Sequence, residues 1–275
     1  MLEDLKKAYR TANITEKIIY LNVALFLVSV LFTTFVTNWL ALPTSLNSFL
    51  IKPWTIISYG FIHNDIFHIL SNLLVLYYIG NLFLSFFSKK QFVNFYFLGM
   101  ITGAIAFLLF YYATGKNGNP LGGASAAVTA IFVGIATKTP RYALRLRFIG
   151  SVELWVLAVI WVSLSVLQLG NYDIGGPISH LGGALLGFVY AKQLAIGNDI
   201  GKWFENMLNY FATFFKPRER KPFKTVYKSH KRKKATEIEK PKQKKIDEIL
   251  DKISKSGYES LSKEEKEFLF RAGKK

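Results

Sequence analysis

The sequence predicts an all-α membrane protein with six transmembrane helices and a soluble helical C-terminal extension. Three observations lead to this prediction. The chain of 275 residues is 51% hydrophobic and 16% aromatic, and its mean hydropathy is positive, +0.24, although its net charge is +17. Of its 35 Lys and Arg residues, 23 follow residue 191, together with 12 of its 18 acidic residues, so this end carries +11 of the net charge. Six separate apolar segments precede it, as in a polytopic membrane protein.

The six apolar segments are about as long as helices that cross a bilayer, which need about 20 apolar residues each. They comprise residues 17–37, 66–88, 91–113, 122–138, 150–169 and 177–195. Lys and Arg cluster before the first segment, between the second and third, and between the fourth and fifth, whereas the opposite loops contain only Lys52 and Lys116. By the positive-inside rule, residues 1–16 and the basic tail are cytoplasmic, and the first, third and fifth loops face outward. The first segment is interpreted as a retained helix because it is long and lacks a signal-peptide cleavage site.

The first outward loop, about residues 38–65, is long and rich in aromatic residues such as Trp39, Trp54 and Tyr59. Aromatic residues of this kind favour the headgroup zone of a membrane. The loop therefore either lies in the membrane interface or contributes to an ordinary aromatic belt.

The first group of polar residues near the apolar segments occurs in FIHNDIFHILSN. His68 and Asn72 are four residues apart, so they share one face of a helix, and His63 lies just before that helix. Polar groups in a membrane helix are costly unless they face protein or a water-filled cavity. Structural hydrogen bonding is the favoured interpretation of the group, and metal binding is the alternative.

The second group is GGASAAVTA, residues 122–130, in which eight of nine residues are Gly, Ala, Ser or Thr. Small residues allow a partner helix to approach closely. Ser125, however, lies in the first turn of the predicted fourth helix, where unpaired N–H groups and the helix dipole favour an oxyanion. Gly122 and Gly123 suit the turn into this helix. Taken alone, these residues favour helix packing, with a buried nucleophile as the alternative.

The third group begins at His180, which is followed by Gly183 and Gly187 in a GxxxG spacing. The fourth and sixth segments run in the same direction, and each has its polar residue near its outward end. Packing of their small residues would place Ser125 and His180 at the same level. Serine needs an adjacent base to act as a nucleophile, and neutral His is suited to that role.

A third, acidic partner is not expected for this pair. Asp65, Glu153 and Asp173 lie at helix ends or in loops, so we expect a dyad.

The chain also lacks Cys, which excludes disulfides, thiol catalysis and Cys-ligated metals.

Together the three groups resemble the rhomboid family of intramembrane serine proteases. The motifs HxxxxHxxxN, Gly-Ala-Ser and HxxGxxxG occur in the order of that family within residues 17–195. The resemblance implies a rhomboid-like six-helix core without metal or cofactor, which cleaves single-span or polytopic membrane proteins near the outer membrane face. The implied residue roles are nucleophile (Ser125), general base (His180), oxyanion donors (His68, Asn72 and the Ser125 amide), ordering of the site (His63), turn geometry (Gly123) and helix packing (Gly183 and Gly187).

The chain departs from the usual family pattern at three positions. Ala126 replaces a frequent Gly, and its methyl group is expected to narrow the gap between the fourth and sixth helices. Thr129 stands where many members have a Tyr that supports the catalytic His, and the sequence does not indicate what supports His180 instead. Ser179 replaces a frequent Ala and is expected to bond to backbone.

Two alternative functions belong to other classes. One is a catalytically silent rhomboid-like protein that binds transmembrane helices, although such relatives typically lose the Ser or the His. The other is a metal or proton transporter that uses the three histidines. The resemblance also favours a bacterial inner membrane, with both termini cytoplasmic.

The tail contains a basic, Pro-punctuated segment, residues 196–242, which is interpreted as a linker attracted to anionic lipid rather than to nucleic acid. Residues 243–275 have apolar residues at helical spacing, a break at Gly257 and a capping box from Ser262 to Glu265. We expect a short helical hairpin there, available to a cytoplasmic partner.

Overall fold

The computed structural model describes residues 2–147, 150–170, 174–215 and 232–273, and these residues are mainly helical. The helices are α1 (Leu2–Thr11), α2 (Ile14–Leu31), α3 (Thr33–Leu40), α4 (Leu46–Ile51), α5 (Thr55–Ser58), α6 (Ile66–Leu84), α7 (Lys89–Thr114), α8 (Ser125–Lys138), α9 (Leu154–Leu167), α10 (Gly175–Ala195), α11 (Lys202–Phe215), α12 (Arg232–Ser256) and α13 (Lys263–Gly273). The chain divides into two compact units, Met1–Lys216 and Pro217–Lys275.

Among the described residues, three helices, α2, α6 and α7, are long and apolar enough to cross a membrane. The helices α8 and α9 are apolar but shorter, with 14 residues each. These helices coincide with the second to fifth predicted segments and with most of the first.

Two predicted boundaries differ from the structure. The first segment, 17–37, is divided between α2 and α3, because Phe32 has non-helical backbone angles (φ −127°, ψ 43°). The fifth segment, 150–169, becomes helical only at Leu154, because the residues before it form strand β2 (Gly150–Glu153), which pairs antiparallel with β1 (Ala143–Leu146). The all-α prediction therefore missed a two-stranded sheet between α8 and α9.

Helix α8 lies at the centre of the first unit. It packs against α6, α7, α9 and α10, and ten of its 14 residues are buried. Its contact with α10 is a backbone contact: a Cβ atom on Gly183 would lie 2.2 Å from the Ala126 carbonyl oxygen, and one on Gly187 would lie 2.4 Å from that of Ala130. Only glycine fits at these two positions, so the small residues set the distance between α8 and α10.

The expected effect of Ala126 on this contact is wrong. The Ala126 Cβ faces α7, where a Cβ atom on Gly103 would lie 2.6 Å from it. Because Gly183 meets the backbone of Ala126 instead, the methyl group fills space against α7 and does not lie between α8 and α10.

The opposite end of α10 is held by aromatic and polar contacts. The rings of Phe95 on α7 and Tyr190 on α10 are stacked with centroids 4.3 Å apart. The Tyr190 hydroxyl donates to Asp199 Oδ1 at 2.6 Å and accepts from Asn94 Nδ2 at 3.1 Å. Helix α10 is thereby fixed to α7 far from the Ser125 end of α8.

The C-terminal residues contain more helix than the sequence indicated. Helix α11 and the start of α12 fall within residues 196–242, the predicted linker. In the second unit, Ser262 and Glu265 form the predicted capping box: the Glu265 N–H donates to Ser262 Oγ at 3.2 Å, and the Ser262 N–H donates to Glu265 Oε2 at 2.8 Å. Lys252 of α12 forms a salt bridge with Glu265 of α13 at 3.0 Å, which joins the two helices.

Replacement of Gly183 by Ala tests the backbone contact between α8 and α10. The new Cβ would meet a helix carbonyl that cannot rotate away, so we expect a loss of roughly 1–3 kcal/mol in the free energy of unfolding. Thermal unfolding in detergent would measure it. Gly176→Ala on the same helix is the matched control, because a Cβ there meets nothing within 4 Å; equal stability of the two variants would contradict the contact.

Candidate functional site

A cavity of about 270 Å³ lies at the N-terminal ends of α8 and α10. Three of the residues predicted from the sequence line it together: His68 from α6, Ser125 from α8 and His180 from α10. Side-chain amides of Asn119 and Gln168 also line the cavity. The fold therefore combines a hydroxyl, two imidazoles and neutral hydrogen-bonding groups in one space.

The turn that leads into Ser125 is held by the first loop. Leu121 and Leu42 exchange backbone hydrogen bonds of 2.8 and 3.0 Å, and the Gly123 N–H donates to the Tyr59 carbonyl oxygen at 3.0 Å. The Tyr59 side chain is buried and donates to the Met100 carbonyl oxygen of α7 at 2.8 Å. The long aromatic loop thus supports the cavity through its backbone and through Tyr59.

Gly123 is required in this turn for two reasons. Its φ angle is +125°, in the region that favours glycine. A Cβ atom there would also lie 2.8 Å from Nε2 and Cε1 of His68. The His68 ring therefore lies directly against the residue that precedes the first turn of α8.

His63 fixes the same turn from the other side. Its ring is buried, and Nε2 accepts a hydrogen bond from the Ala124 N–H at 3.4 Å. The rings of His63 and His68 are 5.1 Å apart at their centroids and inclined by 67°. Burial, with a smaller contribution from His68, lowers the pKa of the His63 imidazole to about 4. A neutral His63 can keep accepting from Ala124 at physiological pH.

Asn72 is not brought into the cavity. Its side chain is buried, and Nδ2 donates to the His68 carbonyl oxygen at 2.9 Å. In this structure Asn72 stabilises the helix turn that carries His68.

His180 has a hydrogen-bond partner that the sequence did not indicate. Its Nδ1 atom lies 3.0 Å from the Oγ atom of Ser165 on α9. Ser179, beside it, donates to the Gly176 carbonyl oxygen at 2.8 Å, which is the backbone bond expected for it. Ser165 therefore contacts the ring, whereas Ser179 does not use its hydroxyl in that way.

A family model for the Rhomboid domain matches residues 51–196. The matched range exceeds half of the chain and contains every residue that lines the cavity. The chain belongs to the rhomboid family. Membership of this family, together with the long apolar helices, identifies the chain as an integral membrane protein.

Two relatives support the assignment to the rhomboid family. The chain is 31% identical over 158 residues to RHOMBOID-like protein 12, mitochondrial, of Arabidopsis thaliana. The aligned residues cover 52% of this chain and 47% of that protein. It is 27% identical over 135 residues to Presenilin-associated rhomboid-like protein A, mitochondrial, of Danio rerio. These residues cover 48% of this chain and 35% of that protein. The matches thus span less than half the length of these relatives. Both names refer to mitochondria, so they do not support the expectation of a bacterial inner membrane.

The C-terminal residues match a different family model. Residues 225–275 correspond to a family of unknown function, DUF6576. The rhomboid match and this match do not overlap.

Thr129, the second departure from the rhomboid pattern, has a specific partner. Its side chain is buried, and Oγ1 accepts a hydrogen bond from Trp161 Nε1 at 2.9 Å. Trp161 lies one turn before Ser165 on α9. The sequence shows a tryptophan and two serines, Ser163 and Ser165, in this apolar segment. It does not indicate which serine faces His180; only the packing of α9 shows that Ser165 does.

The described residues contain no group of three or more His, Cys, Asp or Glu side chains arranged to hold a metal ion.

The pKa of His63 predicts a pH dependence of stability. Between the unfolded value of 6.5 and the folded value of about 4, the unfolded chain binds more protons than the folded chain, so stability falls as pH decreases. From pH 7 to pH 5 we expect a loss of ~2 kcal/mol from this residue. His63→Gln should remove that part of the loss in chemical or thermal unfolding measured at both pH values. An unchanged difference between pH 7 and pH 5 in the variant would contradict the assignment.

Proposed function

We propose that this rhomboid-family protein is an intramembrane serine endopeptidase that uses Ser125 and His180 as a dyad. The observation that supports the proposal is the single cavity lined by Ser125, His180 and His68. Its substrates would be single-span or polytopic membrane proteins, cleaved within or beside a transmembrane helix near the outer face.

The proposed reaction is acyl transfer to serine followed by hydrolysis. His180 Nε2 accepts the Ser125 proton as Oγ attacks the substrate carbonyl carbon. The negative charge on the carbonyl oxygen is stabilised by the Ser125 N–H, which has no intrahelical partner at the first position of α8, and by His68. His180 then gives the proton to the leaving amine, and a water molecule, activated in the same way, releases the acyl group and restores the serine.

The length of α8 supports a site below the membrane surface. Its 14 residues extend about 21 Å at 1.5 Å per residue, whereas the apolar core of a bilayer is ~30 Å thick. If the C-terminal end of α8 lies at the inner surface, Ser125 lies several ångströms inside the outer one. The polar cavity above it would admit the water that hydrolysis requires.

The proposed topology has six spans, formed by α2, α6, α7, α8, α9 and α10. Basic residues then place residues 1–16 and the tail after residue 195 on the cytoplasmic side. Residues 17–195 form the protease core in this proposal, and the hairpin of α12 and α13 remains available to a cytoplasmic partner.

Substitution of Ser125 by Ala tests the nucleophile. We expect the variant to lose labelling by a fluorophosphonate probe in membranes, as well as cleavage of a model transmembrane substrate. Ser179→Ala is the matched control, because this serine is buried beside His180 and its hydroxyl donates to the Gly176 carbonyl of its own helix. Equal labelling and cleavage by wild type and Ser125→Ala would exclude the dyad. A wild-type protein that neither labels nor cleaves, but retains transmembrane helices, would indicate the catalytically silent class.

The two candidate oxyanion donors should differ in their effect. His68 lines the cavity, whereas the Asn72 amide donates to the helix backbone. We expect His68→Ala to lower kcat about 100-fold or more, as the loss of an oxyanion donor does, and Asn72→Ala to lower it less. Single-turnover cleavage in liposomes would compare them. A larger loss in Asn72→Ala would show that Asn72 turns into the cavity when substrate binds.

A further inference from the structure

We infer that Ser165 is a positioning residue that holds the His180 ring in the tautomer required of a general base. This inference rests on the proposed function, because it concerns the same dyad. It assigns the support of His180 to α9, which carries no residue of the three motifs found in the sequence.

Ser165 lies within hydrogen-bond distance of two groups. Ser165 is buried, and its Oγ atom lies 3.0 Å from His180 Nδ1 and 3.4 Å from the Trp161 carbonyl oxygen. A serine hydroxyl has one proton, and a carbonyl oxygen can only accept. Two arrangements satisfy these distances: the Ser165 hydroxyl donates to the Trp161 carbonyl and accepts the N–H of His180 Nδ1, or it donates to an unprotonated Nδ1. The first arrangement is the one inferred, because it alone leaves Nε2 of a neutral His180 free to accept the Ser125 proton.

This direction has a chemical consequence for His180. With the proton on Nδ1, the Nε2 atom carries a lone pair and can accept the proton of Ser125. When His180 becomes positively charged during acylation, the bond from Nδ1–H to Ser165 becomes charge-assisted and stronger. Ser165 thus stabilises the charged intermediate without exchanging a proton itself.

The position of Ser165 depends in turn on a bond between α8 and α9. Among the residues of α9, only Leu154, Ala158 and Ser165 are buried, so apolar packing constrains this helix weakly. The Trp161 Nε1–H donates to Thr129 Oγ1 at 2.9 Å, and the Trp161 ring packs edge-on against Phe132. The bond from Trp161 to Thr129 fixes the rotation of α9 one turn away from Ser165. Thr129 therefore contributes to the orientation of His180 through α9.

The experiment measures kcat, KM and the His180 tautomer in the full chain. We expect Ser165→Ala to lower kcat about 10- to 100-fold, the size of a hydrogen bond to a charged group, with KM unchanged. Solid-state ¹⁵N NMR of His-labelled protein should show the His180 proton on Nδ1 in wild type and its partial transfer to Nε2 in Ser165→Ala. Signals of His180 are identified by their loss in His180→Gln.

Three further variants separate positioning from folding. Ser165→Thr keeps the hydroxyl and should recover most of kcat and the wild-type tautomer. Ser163→Ala is the matched control on the same helix, because Ser163 is exposed, and it should leave both unchanged. Trp161→Phe removes the bond to Thr129 and should lower kcat by a smaller factor, with no additional loss when combined with Ser165→Ala.

The outcomes distinguish this inference from the proposed function. If Ser165→Ala retains wild-type kcat and tautomer while Ser125→Ala loses cleavage, the role of Ser165 is wrong and the dyad stands. The inference is also overturned if Ser165→Thr is as impaired as Ser165→Ala. If Ser125→Ala cleaves like wild type, the proposed function fails, and the NMR comparison still decides whether Ser165 sets the tautomer.

Discussion

The backbone contact between α8 and α10 is the interaction on which the site depends. Lipid is as apolar as the side chains that would pack there, so close van der Waals contact has to supply the association of helices in a bilayer. Gly183 and Gly187 allow that contact on one side of α8. On the other side, Gly99 and Gly103 of α7 accept the methyl groups of Ala130 and Ala126. A helix held this closely on two sides has little freedom to shift, and its first residue is Ser125.

The outward end of α8 is stabilised differently, by hydrogen bonds to irregular backbone. Within a membrane, backbone that is not helical must find partners in the protein. The Leu42 and Leu121 bridge, the bond from Gly123 to Tyr59 and the bond from Ala124 to His63 meet that need. The first loop is therefore part of the site, because the turn before Ser125 would otherwise have exposed polar groups.

Much of the fold and site was predictable because small and polar residues in apolar segments are rare and directional. His68, Ser125 and His180 line one cavity as the three motifs suggested. The contacts of Ala126 and Ser165 were not predictable, because each depends on helix rotation. That of Asn72 was not predictable, because it depends on the side-chain rotamer that Asn72 adopts within its own helix. The small-residue motif of the sequence indicates that Ala126 packs against neighbouring helices. Only the rotation of α8 in the structure shows that its methyl group faces Gly103 of α7. The β1–β2 pair and α11 were missed because they adjoin longer apolar segments whose pattern dominates.

His180 is held by two interactions of different kinds, and the difference matters for the catalysis proposed above. The glycine contact sets how near α10 lies to α8, but a contact between backbones leaves the imidazole free to rotate about its side-chain bonds. A hydrogen bond fixes rotation, because it weakens steeply when the donor and acceptor are misaligned. The Ser165 bond supplies that constraint. Inside a protein, where the dielectric is low, such a bond is also stronger than in water. The His180 ring can therefore be oriented by one buried serine, provided that the helix carrying the serine is itself fixed by Thr129 and Trp161.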